Sequence, residues 1–457
     1  MQKYELINQF TQKLLRFLLI QYSLRILGMK FDYLYNKTLL KMKFKLFFLI
    51  TLVLLPALIF SQVEEVNPPD YIKSITFKSV SSELGELPIL KLGETFYLEF
   101  DALATNEPDF YYKIEHYDYD WKESILVKPE FLLGVDNFRI QDYRNSFNTY
   151  QLYSHYRLSI PNQQTKALKV SGNYLISIFD RDDQLVFSRK LMIYEDIVTP
   201  GISIKRSRDV SKIQSLQTVD MEISTPPQIN NPVQTVKTMI IQNRNLNTAL
   251  KNIKPQYTIG NKLIYRYTSE TAFPGGNEYL FFETKDVRAA SMGVQFIELK
   301  DIYHSYLFTN RPRYNQPYTF NPDINGRFKI TAIDTDDLAV EADYTQVFFS
   351  LAYPALPEGE RLFVYGNYNN YALDNYNELF FNPERGVYET NFKLKQGFYN
   401  YKYVVVKENG ELDEGRIGGN FWQTENNYKV LVYYRDLGGR YDRIIGFNEV
   451  SSTNITN

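Results

Sequence analysis

The sequence predicts an all-β protein made of tandem antiparallel β-sandwiches, and three observations predict it. Aromatic residues make up 16% of the chain, 38 Tyr and 32 Phe against 2 Trp, and such rings favour pleated, half-buried surfaces over helices. Short runs of alternating apolar and polar residues follow one another with turn residues between them. After Gln62 no apolar stripe recurs at helical spacing. At 457 residues the chain suits three domains, because single domains typically hold about 100 to 150 residues.

The elements follow in chain order. Residues 1–41 read as upstream of the true start, because the segment from Met42 has the layout of a secretory signal: Lys43 and Lys45, an apolar core from Leu46 to Phe60, and the small residue Ser61 before Gln62. Fifteen apolar residues interrupted by Pro56 are short for a membrane span, which needs about 20. Residues 42–61 are therefore expected to be removed on export, leaving no stable membrane insertion. Residues 1–61 carry seven Lys and two Arg against Asp32 and Glu5, so with the whole chain at −2 the remainder stands at −9. That acidity repels phosphate backbones, and no basic cluster interleaved with aromatics stands out, which argues against nucleic acid as a partner. The absence of Cys excludes disulfides and thiolate chemistry.

The first domain is expected over residues 62–198. Its strand candidates are SITFKSV, TFYLEFDAL, FYYKIEHYDYDW, HYRLSIP, NYLISIFD and LVFSRKLMIYE. In TFYLEF, alternation puts Phe96, Leu98 and Phe100 on one face. In HYDYDW it puts Tyr117, Tyr119 and Trp121 on one face and His116, Asp118 and Asp120 on the other, which reads as the wet side of a sheet. Ser171-Gly172-Asn173 and Arg181-Asp182-Asp183 stand where tight turns are expected. Thr199-Pro200-Gly201 marks a boundary. A middle domain over 199–345 follows with TVDMEIS, TVKTMIIQN, KLIYRYT, YLFFETK, RFKITAID and LAVEADY. The last domain, 346–457, starts at VFFSLAYPAL and includes RLFVYGNYNNYALD, NELFFNPERGVYETNFKLKQGFYNYKYVVV and NYKVLVYYRD. There Tyr399, Tyr401, Tyr403 and Val405 share a face.

Chemistry finds little support. His116, Asp118 and Asp120 are spaced to share a strand face and invite a metal reading, but zinc prefers four N or S ligands and the chain has three His and no Cys. Asp180–Asp183 and Asp334–Asp337 are oxygen-rich but lack the twelve-residue calcium-loop layout, so hairpin turns explain them more simply. Gly275-Gly276-Asn277-Glu278 lacks the Lys-Ser/Thr pair of a phosphate loop. No GxSxG elbow occurs around a serine. A non-enzymatic protein without metal or cofactor is expected, and the Tyr- and Phe-dense stretch from Tyr112 to Pro161 reads as a scaffold that binds.

The pieces Asp120-Trp121, Asp142-Tyr143, Ser146-Phe147-Asn148-Thr149, His155-Tyr156-Arg157-Leu158, Ile160-Pro161-Asn162 and Ser171-Gly172-Asn173-Tyr174 come in an order that strongly resembles the plug protein family of the type IX secretion system. Gln242-Asn243 and Gly275-Gly276-Asn277-Glu278 extend that resemblance. It implies a periplasmic protein associated with the outer membrane, whose partner is a large translocon barrel that it closes when no cargo is engaged. In the last domain, GNYNNY and GVYETNFKLKQGFYNYKYVV are similar to early-set immunoglobulin-like modules related to glycogen-binding domains. That second resemblance implies an alternative, carbohydrate binding, with Tyr371 as the stacking platform and Asn370 and Lys402 as hydrogen-bonding partners of hydroxyls.

Overall fold

The computed structural model of the protein describes residues 62–79, 87–104, 106–227 and 229–455. The expected upstream segment and export signal, residues 1–61, lie outside them. Residues 63–457 form one compact unit.

The first sandwich faces a sheet ordered Ile72–Ser79, Phe96–Ala102, Ser154–Ile160, Tyr143–Asn145 against one ordered Ile89–Lys91, Leu185–Tyr194, Gly172–Phe179, Tyr111–Tyr117, Phe138–Arg139. Alternation places Phe96, Leu98 and Phe100 inward as expected, where they meet Tyr156, Leu158, Ile114, Tyr174 and Ile176 in one core. Phe100 and Tyr156 stack at 5.2 Å with Phe110 edge-on to both. Each such ring removed from water contributes about 1.5 to 3 kcal/mol. The hairpin over Arg181-Asp182-Asp183 forms as expected: the Asp180 side chain accepts from the Asp182 and Gln184 N–H groups, and Asp183 is left-handed. Ser171-Gly172-Asn173 is instead the entry into the strand Gly172–Phe179.

The HYDYDW reading needs correction. The strand ends at Tyr117, and Asp118 to Trp121 turn back, with the Trp121 N–H bonded to the Asp118 carbonyl and Trp121 left-handed at φ 57°. The three rings are buried because this outer face is covered by a second sandwich, and His116 is buried too, on the inner face of the strand against Phe131 and Tyr174. Tyr117, Tyr119, Trp121, Leu175 and Met192 share a core with Met239, Ile241, Leu431, Tyr433 and Ile444. Polar contacts lock the joint: the Tyr119 hydroxyl donates to the Thr238 carbonyl at 2.9 Å, the Tyr433 hydroxyl to Asn173 at 2.8 Å, and Arg435 pairs with Asp118 at 2.5 Å.

The expected boundary between 345 and 346 does not separate sheets. Val236–Gln242, from the middle stretch, pairs with Asn427–Tyr434, which in turn pairs with Arg443–Ser451. This sheet closes the second sandwich over Gly201–Arg206, Leu216–Ser224 and Lys262–Tyr265 around Val219, Met221, Ile240, Tyr428 and Val430. Conversely, Leu280–Glu283 pairs with Gly397–Val406, and Tyr303–Leu307 runs parallel to Tyr344–Leu351. These join a ten-stranded, barrel-like sheet whose core holds Tyr399, Tyr401, Tyr403 and Val405. Pro and Gly mark where the chain turns, while sheet membership is decided by which faces complement one another. LAVE, expected as strand, is a helical turn, Leu338–Glu341, capped by the Asp337 side chain, since Asp at that position satisfies a free N–H.

Candidate interaction surface

Within the first sandwich, the Ser146-Phe147-Asn148-Thr149 motif opens a loop that presents apolar side chains on fixed backbone. Phe147, Tyr150 and Leu152 are 70%, 55% and 56% exposed. Their backbone is nonetheless held: the Phe147 N–H donates to the Val340 carbonyl at 2.8 Å, and the Asp343 carboxylate accepts from the Tyr150 and Gln151 N–H groups at 2.8 and 3.1 Å. Lys393 donates to the Gln151 side chain at 2.7 Å, and the buried Tyr153 hydroxyl donates to the Ala342 carbonyl at 2.8 Å. Asn148 takes the left-handed conformation, φ 56°, that Asn tolerates better than most residues.

A second apolar exposure lies on 125–138, where Ile125, Val127, Leu133 and Val135 face solvent while Phe131 and Leu132 anchor the segment in the core. Asp136 fixes it by accepting from the Ile114 N–H and from Lys128, both at 2.7 Å. Apolar side chains held out in water on ordered backbone need little further ordering on contact with a partner.

The residues expected to bind sugar do not converge on an open platform. Tyr371 is 1% exposed and packs with Phe363, Tyr365 and Val404, its hydroxyl donating to the Asn243 carbonyl at 2.6 Å. Asn370 donates to Glu65 at 2.6 Å, and Lys402 is taken up by Glu414 beneath the rings of Tyr279 and Tyr365. A ring sealed on both faces cannot stack on a sugar, so that reading is corrected.

The charged motifs are structural joints as well. Burial lowers the His116 pKa, and its Nε2 donates to the Ser171 carbonyl while Nδ1 meets the Ser124 hydroxyl at 2.8 Å. Asp120 pairs with Lys122, Asp183 with Lys113, Asp334 with Arg288 and Asp337 with Arg144. His155 bonds the fully buried Asp101, and His304 leans on Phe348. Among the described residues no group of three or more His, Asp or Glu side chains is placed to hold a metal ion, and no helix is long and apolar enough to cross a membrane. In the Gly275–Glu278 motif, Gly275 lies so close to the Phe421 carbonyl that a Cβ would sit 2.1 Å away. Glu278 there is pushed up by burial despite the hydrogen bond from Tyr318.

Comparison with known proteins adds the decisive observation: residues 72–195 match the family model described as the type 9 secretion system plug protein 1st domain. Residues 72–195 are a type 9 secretion system plug protein first domain. The matched residues are those of the first sandwich and contain both apolar exposures. A crystal structure of a hypothetical protein from Parabacteroides merdae ATCC 43184 is similar to this chain at 32% identity and a TM-score of 0.82, over 86% of this chain and 100% of that one. No curated protein matches. That domain supports a type IX secretion-associated plug role, which suits a periplasmic location near the outer membrane. The motifs that revealed the family fall on joints such as Asp120-Trp121 and His155-Arg157; the exposure of Phe147 within one of them was not legible, because Phe in an aromatic-rich strand pattern reads as core.

Proposed function

We propose that this protein binds the periplasmic opening of the type IX outer-membrane translocon barrel and seals it when no cargo is engaged. The observation that carries the reading is the family match over 72–195. The joint through Tyr119, Tyr433 and Asp118 supports it, because a seal must transmit no slack, and a domain fixed by a shared apolar core offers a rigid surface. The ordered loop bearing Phe147, Tyr150 and Leu152 gives the contact its anchors, since a few central aromatic and aliphatic side chains carry most interface energy. Export by the segment from Met42 would bring the chain to that compartment.

Affinity capture of the tagged protein from gently solubilised envelopes tests the binding, with a large outer-membrane barrel protein expected to co-purify. Recovery without it would overturn the assignment. The triple change Phe147→Ala, Tyr150→Ala, Leu152→Ala is expected to reduce co-purification while moving stability little, because exposed substitutions usually shift it by within about 0.5 kcal/mol each. Sealing has its own readout: a deletion strain is expected to admit large antibiotics that the parent excludes.

A further inference from the structure

The outer face of the sheet carrying Ile72–Ser79, Phe96–Ala102 and Ser154–Ile160 is polar, and it looks across a cleft of about 840 Å³ at Phe328–Ile330, Leu338 and Lys395. That volume is in the range of small-molecule sites, about 300 to 1,000 Å³. Its ionic groups are unevenly matched. Glu99 pairs with Lys78 at 2.5 Å and with Arg157 Nε at 3.5 Å, while Asp142 also lines the cleft beside Arg144, which pairs with Asp337. Asp101, wholly buried, pairs with Lys395 at 2.8 Å and His155 at 2.7 Å. In both clusters one carboxylate serves two basic groups, in a chain that is acidic beyond residue 61.

Arg157 is the member best placed to take a further partner. Its guanidinium lies 3.8 Å over the Tyr97 ring, a stacking that fixes the plane of the fork. Its buried Nε faces Glu99 Oε1 at 3.5 Å without completing a hydrogen bond, so that pairing leaves the guanidinium incompletely satisfied. Phe328, Ile330 and Leu338 add apolar wall to the same cleft, which suits a carbon skeleton.

We propose that this cleft is a binding site for a small oxyanion, a carboxylate or phosphate group seated on the Arg157 fork, in the geometry that planar guanidinium recognises best. Isothermal titration of the full chain with citrate and, separately, with inorganic phosphate tests it, using sodium chloride at matched ionic strength as the reference. Saturable binding of one or both is expected. Binding of citrate alone identifies a carboxylate ligand, and binding of phosphate alone a phosphate ligand. Arg157→Gln is expected to weaken the affinity about tenfold or more, in line with loss of one charge-assisted pair of hydrogen bonds, while Arg181→Gln on the remote hairpin leaves it unchanged. If Arg157→Gln does not fold, Arg157→Lys, which keeps the charge and loses the fork, is expected to weaken binding about threefold or more. No saturable binding of either probe up to roughly 10 mM, well short of useful affinity, would overturn the proposal. Equal affinities in the wild type and the Arg157 variant that folds would do the same.

Discussion

Asp323 shows how far a single side chain can depart from what its residue type suggests. Burial pushes its carboxyl up to about 7, against the opposing pull of hydrogen bonds from the Asn325 and Tyr279 N–H groups, and the neighbouring Glu278 is raised in the same direction. An unfolded Asp titrates near 3.9, so between about pH 4 and pH 7 the native state holds a proton that the unfolded state has released. The sign follows: this contribution to stability is fully present below the unfolded value and is lost as pH rises through 7. We expect the unfolding free energy of Asp323→Asn to change less between pH 5 and pH 8 than that of the wild type, by on the order of 2 kcal/mol. Denaturant titrations at the two pH values check it, and parallel profiles would refute it. Asp101 goes the other way: burial pushes it up, but Lys395 and His155 outweigh burial and hold it below the usual range, which is why the comparison must be made against the Asn variant and not against pH alone. Nothing in the local sequence marks either carboxylate, because their surroundings come from residues far away in the chain.

Single elements explain why the family motifs look as they do. Gly172 starts its strand at φ 143°, and a Cβ there would stand 2.3 Å from His116 Nε2 and 3.2 Å from the Asp442 carbonyl. Ser171-Gly172-Asn173 was expected to be a turn because Ser, Gly and Asn favour turns. The Gly is required instead by the close approach of a histidine ring that is itself pinned between Ser124 and Ser171. Gly172→Ala is expected to destabilise the chain by about 2 kcal/mol or more, from backbone strain and overpacking together. Adding His116→Ala should recover part of that loss, since contacting residues couple; equilibrium unfolding of the single and double variants measures both, and strictly additive losses would show that the ring is not the obstacle. The strand Gly397–Val406 gives the complementary lesson. Its Tyr alternation was legible and places Tyr399, Tyr401 and Tyr403 in the core, yet Val404 on the other face is buried too, so period-two patterning located the strand but not the second layer over it.

The whole molecule is assembled by strands that cross the sequence boundaries. A fragment limited to 199–345 would leave Val236–Gln242 with only Leu250–Lys251 for a neighbour, stripped of the Asn427–Tyr434 strand that supplies Tyr428, Val430 and Val432 to its core. Such a fragment is expected to be largely unfolded by far-ultraviolet circular dichroism and cleaved rapidly by protease, whereas a protected β-rich fragment would contradict the shared-sheet architecture. What the sequence determined by itself is what short-range rules carry: the all-β class, from Tyr, Phe and alternation; most strand positions; and the plug family, from motifs that lie close together between Asp120 and Tyr174. The tertiary structure decided the rest: that strands from both sides of residue 345 share sheets, that His116 turns into the first sandwich against Phe131 and Tyr174, that Tyr371 is sealed in a buried cluster, and that Phe147 stands in solvent. The physical reason is that pairing and burial depend on complementary faces brought together over hundreds of residues, and a local pattern states which face is apolar without stating what will cover it.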